Sequence, residues 1–399
     1  MNKKILYALS ASLMLAGAAC TDKYTVQDEP TPPVPVEPEK PTVSIPLSSE
    51  QQEISKRAIA VGQEMFQAMC ADPDNAGKTV AFSPMGANSM LCAMAQLGLE
   101  KNVPSAFDAI YGSRQQLEAV YAEMRSQMPQ LDESVKLSFN NALLCDQAFY
   151  DSNNIATAVN GYDALKVDII DTTDENEMLY AITYWLHKNG LNIGWPMRDI
   201  GRSPVLASAT SVEAPWGEAT ADFGDGILFN YMEDAKVRVG ADCYSVRVPL
   251  GTNGAYEMVI AKANPGVDID RVIASGDIFD PGNGRYSYKP FTVAIPSRLH
   301  VGADVSFDSA IHAVLAKYVP DYEAQNIATI DTFKNFAFGD LCLTRTGTDA
   351  AGATTEVISR SWDGGYGSGF INVADGNCVV SVLEVSTKTC LFMGRIAKM

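Results

Sequence analysis

Apolar residues Ile54, Ala58, Val61, Met65 and Met69 recur at three- and four-residue steps, with Ser48 and Ser49 just before them. That spacing predicts a capped amphipathic helix. A second helix is expected after Pro84, with Met90, Leu91, Met94 and Leu97 turned inward, and a third periodic stretch covers Tyr180 to Leu191. The second half of the chain changes period. Tyr244, Val246 and Val248 alternate with polar residues, as do Phe291, Val293 and Ile295, which is the strand pattern. Val379 to Val385 and Cys390 to Ile396 flank Ser386-Thr387-Lys388-Thr389, a hairpin by composition. Helices early and strands late predict an α+β architecture. Between Thr344 and Gly376 no period holds, so a long flexible loop is expected there. With no internal repeat and no linker after Pro46, one large domain is expected over residues 48–399.

Composition narrows the chemistry. The chain has 399 residues, 47% hydrophobic and 20% charged, with a formal net charge of -18 spread along its length. A surface for nucleic acid or anionic membrane would need a lysine and arginine patch, so no nucleic-acid partner is expected. Apart from Cys20, seven cysteines (Cys70, Cys92, Cys145, Cys243, Cys342, Cys378 and Cys390) show no C-x-x-C spacing. Several lie in apolar runs, which makes buried thiols the default. His187, His300 and His312 have no ligand-like spacing, so neither a metal nor another cofactor is expected. No G-x-S-x-G elbow, Walker loop or H-E-x-x-H is present, and no catalytic residues are assigned. Gly364 to Gly369 lacks the strand-to-helix setting of a phosphate cradle and reads as part of the loop.

The N-terminus carries its own signal. Lys3 and Lys4 precede an apolar run from Ile5 to Ala16, and Gly17-Ala18-Ala19 lead to Cys20. This is a secretory signal with a cysteine at the cleavage point. It resembles a bacterial lipoprotein signal, although Gly17 stands where a bulkier residue is usual. The resemblance implies a signal peptide over 1–19, lipidation at Cys20, and placement in the cell envelope, outer-membrane anchored and either periplasmic or surface-exposed. Residues 20–47 are rich in proline and acid, and read as an extended spacer behind that anchor.

Several segments, in order, are similar to the serpin family over nearly all of residues 48–399. They are Phe82-Ser83-Pro84 with Met90-Leu91 and Leu97-Gly98, then Asn141-Ala142-Leu143, read as a strand start, then Ile182-Thr183-Tyr184-Trp185-Leu186 with Asn192-Ile193. Val205-Leu206 through Trp216 and Phe223, and Leu391-Phe392-Met393-Gly394-Arg395, complete the series. The resemblance implies the serpin fold: N-terminal helices, large mostly antiparallel sheets and an exposed reactive loop. It also implies a non-enzymatic suicide inhibitor of serine, or alternatively cysteine, proteases. The implied partner of this monomer is a trypsin-like or elastase-like serine protease. A second reading keeps the fold but makes the protein a non-inhibitory surface binder.

Gly347-Thr348-Asp349-Ala350-Ala351-Gly352-Ala353-Thr354 resembles the hinge of inhibitory serpins. In that family the protease forms an acyl-enzyme on the loop, and the cleaved loop then enters a sheet as a new strand. Alternation puts Thr348, Ala350, Gly352 and Thr354 on one face, small enough to bury, and Asp349, Ala351, Ala353 and Thr355 on the other. Continuing by twos puts Glu356 on the buried face. There it needs a cationic partner, a proton, or a wet position near the end of the strand. The reactive bond is Arg360-Ser361 or Ser361-Trp362; an arginine suits the acidic pocket of trypsin-like enzymes. Departures from the family accompany this match. Its polar cluster under the opening sheet keeps Ser83 but reads Gly86, Ser208 and Ala337 elsewhere. Arg345 replaces a glutamate before the hinge, and Asn377-Cys378 replaces a Pro-Phe pair after the loop.

Overall fold

A computed structural model describes residues 44–97, 108–189, 191, 204–216, 219–222, 228–275, 285–296, 308–318, 334–345 and 369–396. Residues Pro41–Met399 form one compact unit. The first expected helix, α1 (Ser49–Ala71), buries Ile54, Ala58, Val61, Met65 and Met69 as its spacing requires. Ser48 caps it: its hydroxyl accepts from the Gln51 amide while the Gln51 side chain accepts from the Ser48 amide. α2 (Pro84–Leu97) is buried all round except at Gln96, which marks it as the central core helix. α3 (Arg114–Leu131), the short α4 (Gln147–Ser152) and α5 (Ile155–Ala158), α6 (Glu175–Lys188), α7 (Ile269–Ser275) and α8 (Asp308–Tyr318) complete the labelled helices.

The strands are β1 (Val80–Phe82), β2 (Lys136–Cys145), β3 (Lys166–Ile169), β4 (Val205–Trp216), β5 (Ala219–Asp222), β6 (Leu228–Val239) and β7 (Cys243–Leu250). They continue with β8 (Tyr256–Ala263), β9 (Arg285–Pro296), β10 (Lys334–Arg345), β11 (Gly369–Asn372), β12 (Cys378–Glu384) and β13 (Cys390–Ile396). Among described residues they form two sheets. One has nine strands in the order β1-β13-β12-β8-β7-β6-β9-β11, with β5 on β6; the other has four, in the order β10-β4-β2-β3. The α+β expectation holds, but strands also occur early, since β2 and β3 precede α6.

Three readings of the sequence need correction. Asn141-Ala142-Leu143 is not a strand start, because β2 begins at Lys136 and these residues lie inside it. The region from Thr344 to Gly376 is not one loop: β10 runs through Arg345, β11 occupies Gly369–Asn372, and a 3-10 turn follows at Val373–Asp375. Short strand segments docked on a larger sheet need too few residues to display a period. The third stretch, expected over Tyr180 to Leu191, belongs to a helix that starts earlier, at Glu175, where Asp174 caps it through the Asn176 amide. Its outer face leaves Tyr180 and Tyr184 exposed and stacked.

The C-terminal hairpin is the most heavily determined part of the fold. β12 and β13 pair antiparallel, and every residue of both is buried. Glu384 accepts from the amides of Ser386 and Thr387 and fixes the turn. Arg395 points into the core, where Nη1 donates to the Cys70 carbonyl at 3.1 Å and to Asp270 Oδ1 at 2.7 Å. Its Nη2 donates to the carbonyls of Lys78 and Asn75. One guanidinium thus ties the last strand to the turn after α1 and to α7. Cys70, Cys92, Cys145, Cys243, Cys378 and Cys390 are buried, as expected, and form no disulfide; burial pushes Cys70 and Cys378 up to about 12. They are unreactive by that measure.

Candidate functional site

The feature that singles out a region of this molecule is the seam between β4 and β10. The two strands are twelve residues each and pair in parallel along their whole length, from Lys334 opposite Val205 to Arg345 opposite Trp216. On its other edge β4 pairs antiparallel with β2. β10 ends at Arg345, and the next described element is β11, paired in parallel with β9. Residues 346–368 therefore link one end of the seam to the other sheet. The hinge, Gly347, Thr348, Asp349, Ala350, Ala351, Gly352, Ala353 and Thr354, and the bond candidates Arg360, Ser361 and Trp362 lie outside the described residues, as does Cys20.

The two faces of β4 meet different surroundings. Leu206, Val212, Ala214 and Trp216 belong to the main core with α1 and α2, whereas Val205, Ala207 and Ala209 pack in a second core. That second core is built by Met178, Ile182, Trp185 and Leu186 of α6 with Ala142 and Leu144 of β2. α6 thus covers β2 and β4 in the half of the sheet that contains Val205. Toward Trp216 the same face is only half-covered, at Ser211, Glu213 and Pro215. A strand entering from the Arg345 end would meet the open half first and the half under α6 last.

The side of β4 turned to α2 is small and polar in its middle. Ser208 and Thr210 are buried there opposite the first turn of α2, where Ser83 accepts a 3.0 Å bond from the Gly86 amide. Gly86 leaves room for this contact. A Cβ on it would lie 2.5 Å from Ser208 Oγ and 3.1 Å from Thr210 Oγ1. The Thr210 hydroxyl is fully buried with no hydrogen-bond partner, and so is the Trp216 indole N–H. Unsatisfied buried groups cost roughly 1–3 kcal/mol each, so the seam is closed at less than its best energy. Sequence reading named Ser83, Gly86, Ser208 and Ala337 but missed Thr210. Its signal was available, because Thr210 follows Ser208 by two on the same strand face.

Around this region other side chains fasten rather than function. Asn88 donates to the carbonyls of Ala58 and Pro84, and the Tyr111 hydroxyl donates to Asn88. Asp132 accepts from Ser134, Thr252 and Asn253, tying the end of α3 to the turn between β7 and β8. Burial pushes its carboxyl up, but those hydrogen bonds together hold it below the usual carboxylate range. Asn377, in the place of the family's proline, has φ 53 and bonds through its side chain to the Ile269 amide. Among described residues no cluster of three or more His, Cys, Asp or Glu side chains could hold a metal. No described helix is long and apolar enough to cross a membrane.

The two sheets and the helix across the small one define the serpin fold. Solved structures bear this out at the level of the fold. Serine protease inhibitor (serpin)-12 of Manduca sexta superposes with a TM-score of 0.57 at 14% identity, over 86% of this chain and 98% of that one. Native protease nexin-1, solved with heparin, superposes with a TM-score of 0.57 at 14% identity, over 88% and 99%. No protein-family model matches the sequence, and no curated protein matches it.

Proposed function

We propose that the protein is a serpin-type inhibitor that traps a serine protease by inserting its cleaved loop between β4 and β10. The observation that carries this reading is the closed parallel seam at whose end the loop begins. A segment that turned back after Arg345 would run antiparallel to β10 and to β4, so one parallel ladder would be replaced by two antiparallel ones. From Thr348 to Ser359 the loop has the same length as the seam, which leaves Arg360 at its far end. A twelve-residue strand adds on the order of ten ladder bonds net, at about 0.5–1.5 kcal/mol each, or roughly 10 kcal/mol. That matches the whole stability of an ordinary domain and suffices to distort a tethered protease. The protein acts as bait and trap, with Arg360-Ser361 or Ser361-Trp362 as the cleaved bond, and uses no cofactor.

The test of inhibition is a denaturing gel with trypsin and with elastase. A covalent band at the summed mass supports the trap, whereas cleavage alone favours a binding protein that reuses the fold. For placement we propose a lipid anchor at Cys20. Cys20→Ala is expected to move the protein from the membrane fraction to the soluble one, and a variant that still pellets after a high-salt wash removes the anchor.

A further inference from the structure

We propose that a small polar cavity between α2, α3 and the β2–β3 edge of the four-stranded sheet receives a small α-amino acid, of the size of glycine or alanine. The cavity measures about 70 Å³. At roughly 10–15 Å³ per water it holds about five or six non-hydrogen atoms. Its polar walls come from four regions of the chain. Ser89 is on α2, Arg125 on α3, Asn140 and Asn141 on β2, and Asp163 and Lys166 lie just before and on β3. Arg125, Asp163 and Lys166 line the same small space, yet among described residues no ion pair joins any two of them.

The hydrogen bonds around the cavity show what it has left to offer. Arg125 is half-buried, and among described residues its guanidinium donates only to Ser89 Oγ, at 3.5 Å. Most of its five N–H groups thus remain for a carboxylate, which an arginine can grip with two parallel bonds. Ser89 Oγ accepts from Arg125 and, at 2.7 Å, from Asn141 Nδ2, so both lone pairs are taken and the hydroxyl hydrogen is left to donate. Asn141 spends its two amide hydrogens on Ser89 and on the Ala164 carbonyl and keeps Oδ1 as an acceptor. Ser89 and Asn141 are buried, so the fold fixes both roles.

The set therefore holds two complementary halves. Arg125, Ser89 and Lys166 supply donors and positive charge for a carboxylate; Asp163 and Asn141 supply acceptors and negative charge for an ammonium. Met85 and Phe139 give the apolar part of the lining, which suits a methyl group. A phosphate dianion would leave Asp163 opposed by like charge. Asn141 lies opposite Ser208 of β4, so a ligand held here ties both helices to the strand that flanks β4. Binding stabilises the folded chain by mass action and does not depend on the inhibitory reading.

The test is calorimetric titration of the intact protein with glycine, L-alanine, acetate and inorganic phosphate. Glycine and L-alanine are expected to bind one per chain with Kd below about 1 mM, and acetate and phosphate roughly tenfold or more weakly. Arg125→Gln should abolish amino-acid binding. Asp163→Asn changes an exposed side chain, so it decides the matter even where the Arg125 variant fails to fold. It should weaken glycine about tenfold without weakening acetate. No saturable binding of either amino acid overturns the site, as does glycine binding that survives either substitution unchanged. Acetate or phosphate binding as tightly as glycine overturns the amino-acid assignment.

Discussion

The C-terminal hairpin and the β4–β10 seam differ in backbone pairing, antiparallel in the first and parallel in the second, and in side chains. Val379, Val380, Val382, Leu391, Phe392 and Met393 fill the first; Ala207, Ser208, Ala209 and Thr210 line the middle of the second. Large apolar residues bury more area per strand position, at about 25 cal/mol per Å², so the hairpin is held by packing that the middle of β4 does not have. The hairpin also carries the Arg395 clamp and leaves one buried hydroxyl, that of Ser381, unpaired, whereas the seam leaves a hydroxyl and an indole N–H unpaired without such a clamp on β4. Stability is therefore concentrated away from the place where the proposed insertion needs two strands to part. A uniformly well-packed sheet would gain little by admitting another strand and would resist doing so.

The largest effect is expected on the seam from Thr348→Arg. A guanidinium entering the sheet first and unpaired costs several kcal/mol, which slows insertion until deacylation wins. The stoichiometry of inhibition against trypsin should rise severalfold; an unchanged value would remove insertion from the mechanism. On the hairpin, Arg395→Ala strips partners from the buried carbonyls of Cys70 and Asn75, from that of Lys78 and from Asp270. It is expected to cost about 3–5 kcal/mol by urea unfolding, and a loss below about 1 kcal/mol would erase the contrast drawn above.

Asp132 is a second fastening outside the seam. Replacing it with Ala should cost about 2 kcal/mol at neutral pH, since Thr252 and Asn253 lose their acceptor. Its folded carboxyl lies below the unfolded value of about 3.9, so its contribution is complete at neutral pH and lost as pH falls through the folded value. Wild type and Asp132→Ala should converge in stability in that acid range; a constant gap down to pH 2 would contradict the role. Gly251 beside it has φ +75, and a Cβ there would lie 2.4 Å from Asp132 Oδ2. The smallest effect is expected from Gly86→Ala, which overpacks the seam wall by about 1–2 kcal/mol in thermal unfolding. Ser208→Ala in the same chain should restore most of that loss, and no restoration would mean that the strain falls elsewhere.

The sequence made some of this visible and hid the rest for definable reasons. The buried stripe of α1 and the C-terminal hairpin were legible because period and turn chemistry agree with the tertiary environment. In β12 and β13 alternation disappears, since both faces are buried, and length and flanking turn residues carried the assignment. β11 was hidden because four residues display no period. The small residues of β4 were legible as a motif but not as a weakness: only the packing of α6 on one face and α2 on the other reveals that Ala207 and Thr210 line a seam. Thr210 was missed because an unpaired hydroxyl is a property of neighbours, not of a residue type. Glu356 was legible as a problem, a carboxylate on the face that an inserted strand would bury.

The central claim is that the loop, once cut, becomes a strand of the four-stranded sheet. The direct measurement is the thermal midpoint of the protein before and after a single cut between residues 357 and 363. Cutting an ordinary surface loop frees chain ends and lowers or preserves the midpoint. Insertion worth roughly 10 kcal/mol should instead raise it by about 10 °C or more. A midpoint that stays level or falls would contradict the account.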